Sequence, residues 1–275
     1  MKTMMIFDKL VTLNRDRHRD LRLDLSQLDF QFAQHTNSVP LAMEEVPEAA
    51  LSYPCVFIER DGKHALCALL GLDAGRNLMV QTDGQWAEGS YVPAHLRRYP
   101  FALAETGEAD HFLVCIDEAC AGLNLSEGQA LFDQAGQEAD VLKESKAFLM
   151  GLHRAFAQSA TWCDEVARLG LLEDRVAHFT RADGSAGQLA GFKVIQEDRL
   201  KTLPAEVLQR WNQEGLMAVA WGHLISLGHV KRLALLQAHA DAASPRSHDE
   251  GSATLTAAPT PVAETIAETI SEVQA

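Results

Sequence analysis

Three closely spaced hairpin signals constrain this chain more than any other feature. Asp61-Gly62 separates the apolar run Cys55 to Glu59 from Ala65 to Leu70. Asp83-Gly84 separates Leu78 to Gln81 from Gln85-Trp86, and the loop Thr106 to Asp110 separates Phe101 to Ala104 from Phe112 to Ile116. Asp-Gly supplies the positive φ angles that tight hairpin turns demand, and strands joined by so short a link pair antiparallel. Residues of roughly 50 to 118 are therefore expected to form an antiparallel sheet or half-barrel. The turns recur at no fixed period, so there is no internal repeat.

On either side the pattern changes. Met5 to Leu25 alternates weakly, and Phe7, Leu10, Val11 and Leu13 fit a strand or one helical face. Asn37-Ser38-Val39-Pro40 reads as a loop, because proline holds the residue before it extended. Val46-Pro47-Glu48 opens a short helix that ends by Tyr53-Pro54. From Ala139 to Leu172 the apolar positions Val141, Leu142, Phe148, Leu149, Leu152 and Phe156 follow helical spacing, which predicts one long or two consecutive helices ending near Gly170. Val176 to Phe179 and Leu189 to Ile195 flank Asp183-Gly184 as a fourth hairpin. Leu203-Pro204 opens a helix that Gly215 breaks, and Leu216 to His239 forms the final helix. After Ala240, Ser, Thr, Ala and Pro dominate, which predicts a disordered linker. Val262, Ile266, Ile270 and Val273 share one helical face and suggest a short helix that folds on a partner; chance spacing in a disordered tail is the alternative. The expected architecture is one α+β domain over residues 1–240, with an acidic tail over 241–275.

Charge and cysteine usage narrow the function classes. The formal net charge is −14, which argues against a nucleic-acid binder or a protein docked on anionic lipid. Cys55, Cys67 and Cys115 lie inside apolar runs, Cys120 and Cys163 complete an odd set of five, and the spacings are irregular. That is the pattern of buried thiols in a reducing compartment, not of a disulfide framework. Asp8 and Lys9 interrupt the apolar start, so no signal peptide is read. The longest apolar stretch, Gly215 to Val230, is short for a span and holds His223 and His229, so it reads as a buried helix. A cytoplasmic protein without a membrane span is expected, with leaderless export to the cell surface as the alternative.

The candidate binding residues cluster around a pair of cations. Arg97 and Arg98 sit between Tyr91-Val92-Pro93 and Tyr99-Pro100-Phe101. Guanidinium groups bind carboxylate or phosphate in a fork that lysine cannot reproduce, and Tyr91, Tyr99 and the nearby Trp86 add hydrogen bonds and stacking. The structural alternative is that one arginine crosslinks the sheet through Asp117 or Glu118 while the other faces water. Asp117-Glu118 at a strand end could form an acid/base pair, but neighbours on a strand point to opposite faces, which favours one paired and one solvated group. His18-Arg19-Asp20 imitates catalytic triplets without their context and reads as a solvated charged turn. His111, Cys115 and Cys120 fit no zinc spacing, and His223 reads as a satisfied core histidine. No cofactor or metal is expected, since no Gly-rich phosphate loop, dinucleotide fingerprint or nucleophile elbow occurs.

Several segments together resemble the SapC-like family of bacterial proteins: Asn37-Ser38-Val39-Pro40-Leu41, Tyr53-Pro54, Leu70-Gly71-Leu72, Tyr91-Val92-Pro93-Ala94, and Arg97-Arg98-Tyr99-Pro100-Phe101 followed by Cys115-Ile116-Asp117-Glu118. Leu131-Phe132, Gly191-Phe192 and His223-Leu224 continue the series, so the resemblance runs from about Met5 to Leu236. His95 and Leu96 depart from it, standing where a bulkier aromatic-aliphatic pair is expected. The family takes its name from a surface-layer gene cluster, and relatives neighbour outer-membrane receptors, flavin halogenase-like proteins and cupin-like hydroxylases. The resemblance implies a non-enzymatic accessory protein that binds a protein or peptide partner, with Arg97 and Arg98 near the contact. An enzyme, or the partner of one, acting on a peptide or small metabolite is the alternative.

Overall fold

The computed structural model describes residues 6–106, 111–181, 183–243 and 253–254. The chain begins with β1 (Leu10–Thr12), α1 (Arg15–His18), β2 (Arg22–Leu23), β3 (Ser38–Pro40) and α2 (Val46–Ala49). Next come β4 (Cys55–Arg60), β5 (Lys63–Leu69), α3 (Ala94–Arg97), β6 (Phe101–Glu105) and β7 (Phe112–Asp117). The short strands β8 (Leu123–Asn124) and β9 (Gln129–Ala130) lead into α4 (Asp140–Arg168). The rest comprises β10 (Leu172–Thr180), β11 (Ala186–Ile195), α5 (Glu197–Lys201), α6 (Ala205–Gln213), α7 (Leu216–Ser226), α8 (Val230–Ala243) and β12 (Ala253–Thr254).

The fold is α+β with antiparallel sheets in the N-terminal half, and the hairpin chemistry explains the pairing. Asp61 and Gly62 both take positive φ, 52° and 74°, closing β4 on β5 with Arg60 opposite Lys63. β6 pairs β7, and β10 pairs β11, again antiparallel. The pairing is divided among three sheets instead of continuing through one, the smallest being β8-β2-β9 with two-residue strands. The first has the order β1-β7-β6; the second runs β10-β11-β4-β5-β3. Lys193 opposite Phe57 joins the late hairpin to the early one. The Asp83-Gly84 turn forms, but its arms meet in one bridge, Val80 with Trp86. The ladder stops there as Trp86 turns inward and donates its indole N–H to the Tyr91 carbonyl at 3.0 Å.

One helix serves the two larger groupings, β1-β7-β6 and β10-β11-β4-β5-β3. The 29 residues of α4 keep a single apolar stripe. Val141, Leu142 and Leu149 pack with Phe101, Ile116 and Leu131 beside the first sheet. Trp162, Cys163 and Val166 join Phe57, Leu66 and Trp211 beside the second. Gly170, at φ 67°, ends the helix.

Three expectations about the C-terminal half need correction. Leu216 to His239 is not one helix, because a 3-10 turn at Leu227–His229 separates α7 from α8. Helix α8 also runs past Ala240, because Asp241 accepts hydrogen bonds from Arg76 at 2.6 Å and Gln237 at 2.8 Å. Within the stretch read as linker, Ala253–Thr254 pairs in parallel with Leu189 and Ala190 of β11. Backbone pairing of this kind needs no apolar side-chain pattern, so composition does not announce it. The proposed helix through Val262, Ile266, Ile270 and Val273 lies outside the described residues. Among the described residues no helix is long and apolar enough to cross a membrane.

Candidate functional site

The segment between Trp86 and Arg98 is moored at Tyr91. Its carbonyl accepts from the Tyr53 hydroxyl at 2.9 Å as well as from Trp86, and its N–H donates to Ser52 Oγ at 2.9 Å. The Tyr91 hydroxyl donates to Glu45 Oε1 at 2.9 Å. Glu45 is buried just before α2; its Oε1 also accepts from the Ala94 N–H at 2.7 Å, and its Oε2 from the Ala42 N–H at 2.8 Å. Burial raises the Glu45 carboxyl above its ordinary range, and these hydrogen bonds offset the rise in part. Desolvation and the Glu45 charge push the Tyr91 phenol up to about 12, so it is a donor at neutral pH.

Arg97 is the exposed end of this chain of contacts. Its Nη2 donates to the Tyr91 hydroxyl and its Nε to the Val92 carbonyl, each at 3.1 Å. The guanidinium lies 5.7 Å from the Tyr91 ring centre and 5.5 Å from that of Phe148 on α4. No acceptor among the described residues engages Nη1.

Arg98, one residue on, is in the opposite situation. It is 7% exposed, lies 5.3 Å over the Phe7 ring, and its Nη2 is 3.4 Å from His95 Nε2. Desolvation lowers its pKa to about 9, which leaves it charged at neutral pH. Neither arginine meets Asp117 or Glu118, so the expected crosslink through those acids is not formed. Both acids are already engaged elsewhere.

Asp117, at 1% exposure, accepts from the Asp8 and Lys9 N–H groups at 2.9 and 2.8 Å and from Ala119 N–H at 3.0 Å. It thus clamps the chain entering β1 to the end of β7. Glu118 lies in the turn just past β7 and meets a different set of partners. It is not a solvated group, however: it meets Arg17 at 2.6 Å, Lys9 at 3.0 Å and His18 at 3.1 Å. Desolvation works to raise the Glu118 carboxyl, but the hydrogen bonds from Lys9 and His18 and the Arg17 charge outweigh it and hold the group low. The solvated-turn reading of His18-Arg19-Asp20 is corrected for His18, which is 2% exposed and pairs with Glu118 and the Asn14 backbone. Tyr99 stacks on Phe32 at 3.9 Å and packs against Phe7; burial, with Cys120 and Asp117 nearby, raises its phenol.

The structure therefore divides the seven predicted residues into four places. Trp86, Tyr91 and Arg97 form one unit around Glu45. Arg98 is buried beside His95. Tyr99 and Asp117 belong to the junction of β1 with β7, and Glu118 to the surface cluster with Arg17 and His18. Sequence reasoning missed Glu45 altogether, and missed His95 as a partner of Arg98. Their i, i+3 spacing was the available signal for the latter.

The SapC family profile matches residues 13–233, and the chain belongs to that family. Comparison with curated proteins and with solved structures returns no match.

Proposed function

We propose that this SapC-family chain is a cytoplasmic binding protein whose surface around Arg97 engages a protein or peptide partner, one destined for the cell surface. The observation that carries this reading is the state of Arg97. Two of its nitrogens are tied to Tyr91 and Val92 and two aromatic rings flank it, while the group stays exposed. An arginine fixed in advance loses little side-chain entropy on binding, and arginine and tyrosine are the residues that dominate interface energetics. The five cysteines, all buried and unpaired, support a reducing compartment.

The test is capture from the native host with tagged full-length protein, followed by affinity measurement with the purified partner. Arg97→Ala, checked for an unchanged melting curve, should weaken a specific complex by roughly 30-fold or more, as for an interface anchor. A partner held equally by both proteins would remove Arg97 from the contact.

A further inference from the structure

Helix α3 and its C-cap residue bury two side chains, His95 and Arg98, whose hydrogen-bonding capacity is left open on the same side of the balance. His95 is 5% exposed and Arg98 7%. They are three residues apart, hence on one helical face, and touch through Arg98 Nη2 and His95 Nε2. A guanidinium has only donors, so His95 Nε2 must be the acceptor in that contact. The single proton of neutral imidazole then sits on Nδ1. Burial and the Arg98 charge hold His95 neutral. His95 Nδ1 and Arg98 Nε are both buried, and neither has a partner among the described residues. Both are therefore donors without an acceptor. Ser38 Oγ, a third buried group without a partner, belongs to β3, against which α3 packs.

The charge is unbalanced as well. Among the described residues no carboxylate pairs with Arg98. Glu45, the acid that reaches α3, spends its oxygens on Ala42, Tyr91 and Ala94. A buried charge without a counter-charge is costly, and donors left unmade in a dry site add to that cost. Two buried donors beside an uncompensated cation are the chemical complement of a group that carries acceptors and a negative charge.

We propose that His95 and Arg98 form a binding site for the carboxylate of a small organic acid or of a peptide terminus, met at the open donors His95 Nδ1 and Arg98 Nε beside the rings of Phe7 and Phe156 that pack on them. A carboxylate monoanion matches the single positive charge, whereas a phosphate dianion would bring an excess charge and more lone pairs than these donors serve. The flanking rings, with the Phe7 centre 5.3 Å from the guanidinium carbon and the Phe156 centre 6.3 Å from that of His95, suit an acid with an apolar portion. The site is distinct from the exposed Arg97 contact and stands whether or not that contact meets a protein.

Thermal denaturation of the full-length protein, at constant ionic strength, tests this with acetate, succinate, N-acetyl-dialanine as free acid and as amide, inorganic phosphate and chloride. A carboxylate at 100 times its Kd should raise the wild-type Tm by roughly 5–10 °C. Amide and chloride should have no effect. Arg98→Met should abolish the response, and its own Tm without carboxylate should equal or exceed that of the wild type, because an uncompensated charge has been replaced by packing. His95→Phe keeps the cation and removes one donor, so its half-saturating concentration should rise roughly tenfold. That variant carries the comparison if Arg98→Met does not fold. A response to acetate or succinate identifies a free acid as the ligand; a response to the dipeptide acid alone identifies a peptide terminus. The proposal is overturned if no carboxylate shifts the wild-type Tm, if phosphate alone does, or if the variants respond as the wild type does.

Discussion

His223 offers the sharpest quantitative test of the core. It is fully buried on α7, where Nδ1–H donates to the Cys55 carbonyl at 2.7 Å and Nε2 accepts from the Ile195 N–H at 3.0 Å. One ring thus joins a helix to β4 and to β11. Protonation would place a second N–H against the Ile195 N–H. Burial lowers the imidazole pKa to about 4 from its ordinary 6.5, with the Cys55 hydrogen bond opposing the fall. The folded state therefore binds fewer protons than the unfolded state between these values. Stability from this group is fully present above pH 6.5 and drains away as pH falls toward 4. Linkage gives a loss of about 2 kcal/mol at pH 5 and about 3 kcal/mol at pH 4, relative to neutral pH. His223→Gln retains one acceptor and one donor but does not titrate. Urea denaturation of both proteins between pH 7.5 and 4 should show the wild type losing about 3 kcal/mol more than the variant, other titrations cancelling in the difference. Curves that stay parallel throughout would refute the argument.

Two further perturbations probe the moorings around the candidate site. Glu45→Ala should destabilise by about 3 kcal/mol or more, because the Ala42 and Ala94 N–H groups and the Tyr91 hydroxyl all lose their acceptor in a buried place; chemical denaturation measures it. Asp117→Ala should cost at least about 2 kcal/mol and should speed hydrogen exchange at the Asp8 and Lys9 amides before exchange elsewhere in β7, since those amides donate to Asp117 alone.

The legible part of this protein was what neighbouring residues decide together. Asp61-Gly62 announced its turn because the positive φ angles are a local demand, and α4 announced itself because its apolar residues recur at the helical period across 29 residues. The Arg97-Arg98 pair stood out as two adjacent cations between aromatic segments, but its two members went to opposite environments. Nothing in the doublet says which arginine faces Tyr91 and Phe148 and which is buried over Phe7 beside His95. Asp117 and Glu118 likewise read as chemistry, and their actual partners lie about a hundred residues away at Asp8, Lys9, Arg17 and His18.

By itself the sequence determined the hairpins, the helical character of Ala139 to Leu172, the antiparallel character of the early sheets and membership of the SapC family, because each rests on local backbone preference, apolar period or motif order. Tertiary structure alone decided that the strands divide among three sheets, that β11 joins β4 through Lys193 and Phe57, and that Arg98 is buried with His95 and pairs with no acid among the described residues. Those outcomes depend on which distant surfaces meet and exclude water. Burial and pairing are properties of such meetings, and the spacing of residues along the chain does not encode them in any form that can be read one segment at a time.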